Sequence, residues 1–219
     1  MAPYRDDERS RAALVETLRQ LGARGLNKGT SGNVSGRTES GMLITPTGIA
    51  PEQLLPGQIV HMSLTGEIGS GQLTPSSEWQ MHADVYAAKP DINAMVHCHS
   101  PYATILACAR KAIPSMHYMV AAAGSDEIPL APYATFGSKA LSEAAVQGLS
   151  VARACLLANH GQLSVAADLP GALKLAELVE EQAHCYWGTL AIGGPVLLDK
   201  PQMQDVLSAF EHYGQQQTS

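Results

Sequence analysis

Ile92-Asn-Ala-Met-Val-His-Cys-His99 is the stretch around which the chain organises itself. Its apolar run from Ile92 to Val96 reads as a strand, and on a strand residues two apart point to the same side. His97 and His99 therefore aim their imidazoles at one spot from a single rigid element. Two neutral imidazoles converging in this way supply half of a tetrahedral zinc site. The best third donor is His160, in Cys155-Leu-Leu-Ala-Asn-His-Gly-Gln-Leu-Ser-Val165, where two strand-like runs flank an Asn159-His160-Gly161 turn. Three histidines with the fourth position open is the arrangement of a catalytic zinc rather than a structural one. His61, His184 and His212 have no such setting and read as ordinary core or surface histidines.

Outward from this strand, periodicity and punctuation lay out the remaining elements. On the N-terminal side, Asp6 to Ala23 reads as a helix with Ala12, Leu14, Val15, Leu18 and Leu21 in one apolar stripe. A glycine and hydroxyl loop follows at Gly29-Thr-Ser-Gly-Asn-Val-Ser35, then strands at Met42 to Thr45 and near Ile59 to Leu64. Ser76 to Ala88 reads as a helix, opened by Pro75 and by the capping-box spacing of Ser77 and Gln80. On the C-terminal side come a helix at Pro101 to Arg110, a loop at Ile113 to Ala123, a strand at Ile128 to Ala131 and a helix at Ser138 to Leu149. After the His160 hairpin, Leu169 to Leu190 is the longer of two final helices. Helices interrupting short, hairpin-linked strands predict an α/β fold: a three-layer sandwich whose central sheet pairs antiparallel at the hairpins.

The 219 residues, 45% hydrophobic, fit one domain over residues 1–219 that buries a core without disulfide or metal staples. A zinc ion in such a chain is there for chemistry. The net charge of −6 with scattered basic residues argues against nucleic acid and anionic membranes, leaving a small-molecule partner. Cys98, Cys108, Cys155 and Cys185 sit singly in apolar segments, as buried reduced thiols of a cytoplasmic protein would. The N-terminus has no apolar signal region, and no run approaches the roughly 18 apolar residues of a membrane helix.

Three loops suit a phosphate. Gly32-Asn33, Thr47-Gly48 and Ser76-Ser77 each pair small or hydroxyl-bearing residues where backbone amides are expected to be free, the last pair at a helix start. Glu78, beside those serines, can ligate a metal or carry a proton. His82 lies four residues on and reads as a supporting or packing residue, since three better placed histidines exist and a fourth would fill the open position. Lys28 reads as a solvated loop residue.

Taken in order, Gly29-Thr-Ser-Gly-Asn-Val-Ser35, Ile44-Thr-Pro-Thr-Gly48, Pro75-Ser-Ser-Glu-Trp79, Val96-His-Cys-His99, His117-Tyr118 and Asn159-His-Gly161 resemble the class II aldolase/adducin family over nearly the whole chain. The resemblance implies a mainly antiparallel central sheet with helices on both faces, and a homotetramer with active sites shared between subunits. It implies one zinc per subunit on His97, His99 and His160, with Glu78 as a further ligand and proton carrier. Phosphate falls to Gly32, Asn33, Thr47, Gly48, Ser76 and Ser77. Tyr118, from the neighbouring subunit, exchanges a proton with the aldehyde oxygen, while Phe136 and Tyr213 shape the aldehyde end.

The activity implied is cleavage of a ketose 1-phosphate, that of L-fuculose, 5-deoxyribulose or methylthioribulose, to dihydroxyacetone phosphate and an aldehyde. The same scaffold hosts L-ribulose-5-phosphate 4-epimerase and sugar-acid phosphate decarboxylases, and, in another class, non-catalytic adducin-like interaction modules. The C-terminal tail and the Ser125-Asp-Glu127 loop are where substrate preference could diverge.

Overall fold

The computed structural model describes residues 2–212. Its centre is one seven-stranded sheet with strand order β3-β2-β1-β4-β7-β6-β5. The strands are β1 (Asn33–Thr38), β2 (Gly41–Ile44), β3 (Val60–Met62), β4 (Ala94–Cys98), β5 (Leu130–Ala131), β6 (Ala154–Leu157) and β7 (Gly161–Ala166). Every pairing is antiparallel except β5 with β6. The helices are α1 (Glu8–Ala23), α2 (Trp79–Ala88), α3 (Pro101–Cys108), α4 (Lys139–Gly148), α5 (Leu169–Ala191) and α6 (Lys200–His212). They lie on both faces, so the expected three-layer α/β sandwich is the observed one.

Strand alternation sends the two faces of β4 into different cores. Met95 packs with Met42, Met81, Val85, Tyr86 and Leu163 beneath α2 and α4, whereas Ala94, Val96 and Cys98 pack with Leu14, Leu18, Ala172 and Ala176 beneath α1 and α5. His97 shares the parity of Met95 and so faces the α2 side. Across the antiparallel register Asn33 stands opposite His97, and Ser35 opposite Met95. Residues directly opposite share a face, which brings both polar β1 side chains to the same side.

Several boundaries differ from the sequence reading, each for a local reason. Helix α1 begins at Glu8 because the Asp7 side chain accepts the Ser10 N–H at 2.8 Å, leaving Asp6 outside to pair with Arg11. Helix α2 begins at Trp79, three residues late. The Ser76 N–H is drawn to the Thr45 carbonyl and the Thr47 N–H to that of Thr74, stitching two loops together, and Glu78 takes the N-cap without a side-chain cap bond. Ser76 and Ser77 are therefore not the first turn of a helix. Cys98 and Cys155 are buried thiols as expected, but Cys108 at the end of α3 and Cys185 on α5 are exposed. Among the described residues no helix is long and apolar enough to cross a membrane.

Candidate active site

Strand β4 ends at Cys98, so it presents His97 from its last turn of the pleat and His99 just beyond it. The β6–β7 hairpin presents His160 from a tight turn whose preceding residue, Asn159, holds a left-handed φ of 55°. That conformation is costly for a non-glycine residue and is held here by its surroundings. The Asn159 N–H donates to the Ala107 carbonyl at 3.1 Å, and its side-chain oxygen accepts from Arg110 at 3.1 Å. Gly161 closes the turn against β4. A Cβ there would stand 2.5 Å from the Cys98 carbonyl oxygen and 2.9 Å from the His99 ring.

The three rings meet at centroid distances of 4.7, 4.9 and 5.0 Å, each pair close to perpendicular. Their donor atoms all lie within 4.8 Å of one another. Nδ1 of His97 is 2.8 Å from the carbonyl oxygen of Gln162. A carbonyl only accepts, so Nδ1 carries the proton and Nε2 keeps its lone pair. That bare nitrogen faces Nε2 of His99 at 3.1 Å and Oε2 of Glu78 at 3.3 Å. Oε1 of Glu78 lies 3.3 Å from Nε2 of His160 and is buried without any hydrogen-bond donor. Converging lone pairs and a buried carboxylate oxygen lacking a donor form a cluster of bases that a cation would satisfy. The donor set fits a divalent metal such as zinc.

The protonation states suit that use. Burial, partly offset by Glu78, pushes His97 down to about 4, and burial also lowers His99 and His160. Burial pushes the Glu78 carboxyl up, but His97, His160, the Asn33 hydrogen bond and His82 together outweigh it and leave the group below its ordinary value. Neutral imidazoles and an ionised carboxylate are the forms that ligate. Behind Glu78, Nδ2 of Asn33 donates to Oε2 at 2.9 Å, while Oδ1 of Asn33 faces Nε2 of His82 at 2.5 Å. His82 is thus turned away from the histidine cluster, as its reading as a supporting residue predicts.

Gly32, Asn33, Thr47, Ser76, Ser77, Glu78, His99, His160 and Phe136 line one cleft of about 320 Å³, joined by Tyr133 and Asn159. Gly48 is not among its walls. Its expected free amides are fewer than the sequence suggests, because those of Thr47 and Ser76 are bonded across the two loops, leaving their hydroxyls and that of Ser77. Gly32 is needed where it stands: at φ 76°, a Cβ would meet the His97 carbonyl oxygen at 2.7 Å. A larger cleft of about 670 Å³ beside α6 contains no comparable group of bases, its charged walls being Lys89 and Arg153.

Tyr118 lies elsewhere, 51% exposed on a 3-10 turn (Tyr118–Ala123). Ser125 and Asp126 line a separate hollow against Met203 and Leu207 of α6. Tyr213 lies outside the described residues. Besides Tyr133, two residues that support the site escape a sequence reading. Gln162 orients His97 through its backbone carbonyl and is itself held by Ser100 and the Ala176 carbonyl. Its one sequence signal is a polar residue in an apolar strand next to His160. Asn27 accepts the His99 N–H at 3.3 Å and carries no signal.

Residues 12–187 match the family described as Class II Aldolase and Adducin N-terminal domain. The 5-methylthioribulose-1-phosphate/5-deoxyribulose-1-phosphate aldolase of Rhodospirillum rubrum is 45% identical over 204 residues, covering 93% of this chain and 92% of that protein. The L-fuculose phosphate aldolase of Escherichia coli K12 is 44% identical over 210 residues, covering 94% and 97%. A solved structure of L-fuculose 1-phosphate aldolase superposes with a TM-score of 0.90 at 37% identity, covering 94% of this chain and 97% of that one.

Proposed function

The chain belongs to the class II aldolase and adducin family and is an aldehyde-lyase of that class, and from that premise we propose that it is a zinc-dependent aldolase of ketose 1-phosphates. It reversibly cleaves its substrate to dihydroxyacetone phosphate and an aldehyde. L-fuculose, 5-deoxyribulose and 5-methylthioribulose 1-phosphates are the candidates that the relatives' names supply. One observation carries the reading: three histidine nitrogens and the donorless Oε1 of Glu78 converge in a cleft walled by the hydroxyl residues Thr47, Ser76 and Ser77.

In this reading His97, His99 and His160 hold one zinc per subunit, with Glu78 as a further ligand at rest. A cation held there would supply Lewis-acid stabilisation of the charge released as the carbon–carbon bond opens. Glu78, ionised at rest with its carboxyl lying against the same histidines, takes up one proton for the one released by the hydroxyl of the departing aldehyde and passes it to the carbon left behind. Thr47, Ser76 and Ser77 bind phosphate through their hydroxyls, with Gly32 and Asn33 shaping that end. No Lys or Arg lines the cleft among the described residues, so neutral donors hold the dianion. Tyr118, exposed and away from its own chain's cleft, serves a neighbouring subunit of a homotetramer, where it exchanges a proton with the departing aldehyde oxygen. Phe136, in the lining of the cleft, flanks the aldehyde.

The test is dihydroxyacetone phosphate release, followed by a coupled dehydrogenase, with the three ketose 1-phosphates. Release abolished by a chelator and restored by zinc is the expected result, and the kcat/KM ranking names the substrate. A zinc-loaded protein silent on all three overturns the reading.

A further inference from the structure

Glu78 ends a buried hydrogen-bond chain whose direction can be derived from the carboxylate alone. An ionised carboxylate only accepts, so Asn33 must turn its NH2 toward Oε2 of Glu78, 2.9 Å away. Oδ1 of Asn33 then faces Nε2 of His82 and must receive a proton, which makes Nε2 the protonated nitrogen. Nδ1 of the neutral ring is left as an acceptor and takes the Ser35 hydroxyl proton at 2.6 Å. With that proton committed, the Tyr86 hydroxyl donates to Ser35 Oγ at 2.8 Å. His82, Ser35 and Tyr86 have no exposed surface and Asn33 is 3% exposed, so water offers no alternative partner. One acceptor-only group therefore fixes every donor along the chain.

We propose that His82 is a positioning residue: by donating to Asn33 it locks the amide with its NH2 toward Glu78, and so sets the carboxylate against His97 and His160. Without a donor at Nε2, the Asn33 amide is free to turn over. Its oxygen would then meet the carboxylate, and Glu78 would lose the hydrogen bond from Asn33 that orients it. Ser35 and Tyr86 act one and two links further back, by keeping the His82 proton on Nε2.

The inference rests on the metal-site reading above, so the experiment uses cobalt as the probe and needs no substrate. Wild type, His82→Leu, His82→Gln and Ser35→Ala are compared by chelator competition, by the visible absorption of the bound cobalt and by melting temperature. Loss of an outer hydrogen-bond partner commonly weakens metal binding roughly 10- to 100-fold. That loss, with a shifted absorption band, is expected for His82→Leu. His82→Gln keeps an N–H near the Nε2 position and is expected to restore most of the affinity, and Ser35→Ala to lose less than His82→Leu. A folded His82→Leu protein with unchanged affinity and spectrum overturns the proposal. So does His82→Gln as impaired as His82→Leu, which would reduce the residue to core packing. If His82→Leu does not fold, an unaltered Ser35→Ala protein overturns it. A wild type that takes up no cobalt instead refutes the metal site, and this inference with it.

Discussion

Behind the cleft, His97, His82, Ser35 and Gln162 form a buried wall with no exposed surface, and each meets a polar partner across β1, β4, β7 or α2; at the mouth Tyr133 and Phe136 are 55% and 67% exposed on the irregular segment between β5 and α4. The wall cannot change one side chain without leaving another buried polar atom unpaired, which costs about 1–3 kcal/mol each time. The mouth can exchange residues at little cost to the fold. On the proposed function, bond-making chemistry falls to the wall and the choice among aldehydes to the mouth.

The severest way to break that division is His97→Ala. It removes a ligand together with the nitrogen that the Gln162 carbonyl orients. The expected result is a protein that retains no zinc after dialysis and loses roughly 10³-fold or more in turnover, since Lewis-acid stabilisation is worth several kcal/mol. Metal content and dihydroxyacetone phosphate release, measured on one sample, check both. Glu78→Gln keeps the three histidines and the shape of the side chain but cannot carry the proton. Zinc is expected to stay on the three histidines, with an affinity lowered at least as far as in His82→Leu, while kcat falls about 10²- to 10⁴-fold, the usual contribution of a general acid or base. Full activity in Glu78→Gln would remove the proton role from Glu78.

Acid should attack the wall before the mouth. Burial pushes His82 down to about 3 and His97 down to about 4, so the folded state favours both rings neutral. The stability this gives is complete above the unfolded pKa of about 6.5 and is lost as pH falls toward those values. By pH 5 the loss in metal-free protein is roughly 2 kcal/mol per histidine, about 1.5 pH units at 1.36 kcal/mol each. Urea unfolding at pH 7 and pH 5 measures it, and His82→Gln should lack one histidine's share of the pH dependence. An identical pH dependence in both proteins would mean that His82 is not held neutral by the fold.

The wall is legible in the sequence at its histidines and not at Ser35 or Gln162. His97 and His99 declare themselves through strand alternation, and His160 through an Asn-His-Gly turn between two apolar runs; both signals are local, and both survive folding. The start of α2 was misplaced because the competing event, pairing of the Ser76 N–H with the Thr45 carbonyl, lies 31 residues away in sequence. Glu78 is thereby the N-cap of α2, and its side chain turns to His97 and His160. Gln162 and Asn27 act through contacts that only the assembled sheet creates. Tyr133 stands in a loop with no periodicity to place it, and the partner expected for Tyr118 belongs to another chain.

The smallest predicted effect tests the mouth by itself. Phe136 presents its ring where Gly137, at φ 70°, brings the segment so close to the Ser77 carbonyl that a Cβ would stand 2.9 Å from its oxygen. The backbone beside Phe136 is therefore held against the Ser77 loop, while its side chain stays exposed at the cleft. Hydrophobic discrimination of this kind is shallow, about 10- to 200-fold for a single methylene. Phe136→Ala should lower kcat/KM for the 5-methylthio substrate about 10-fold more than for the 5-deoxy one, because the longer tail has more surface to lose. Zinc content and melting temperature should stay at wild-type values, since the side chain belongs to no buried network. Parallel assays of both sugars decide the matter: an equal loss for the two, or a loss accompanied by released zinc, would mean that wall and mouth are mechanically one.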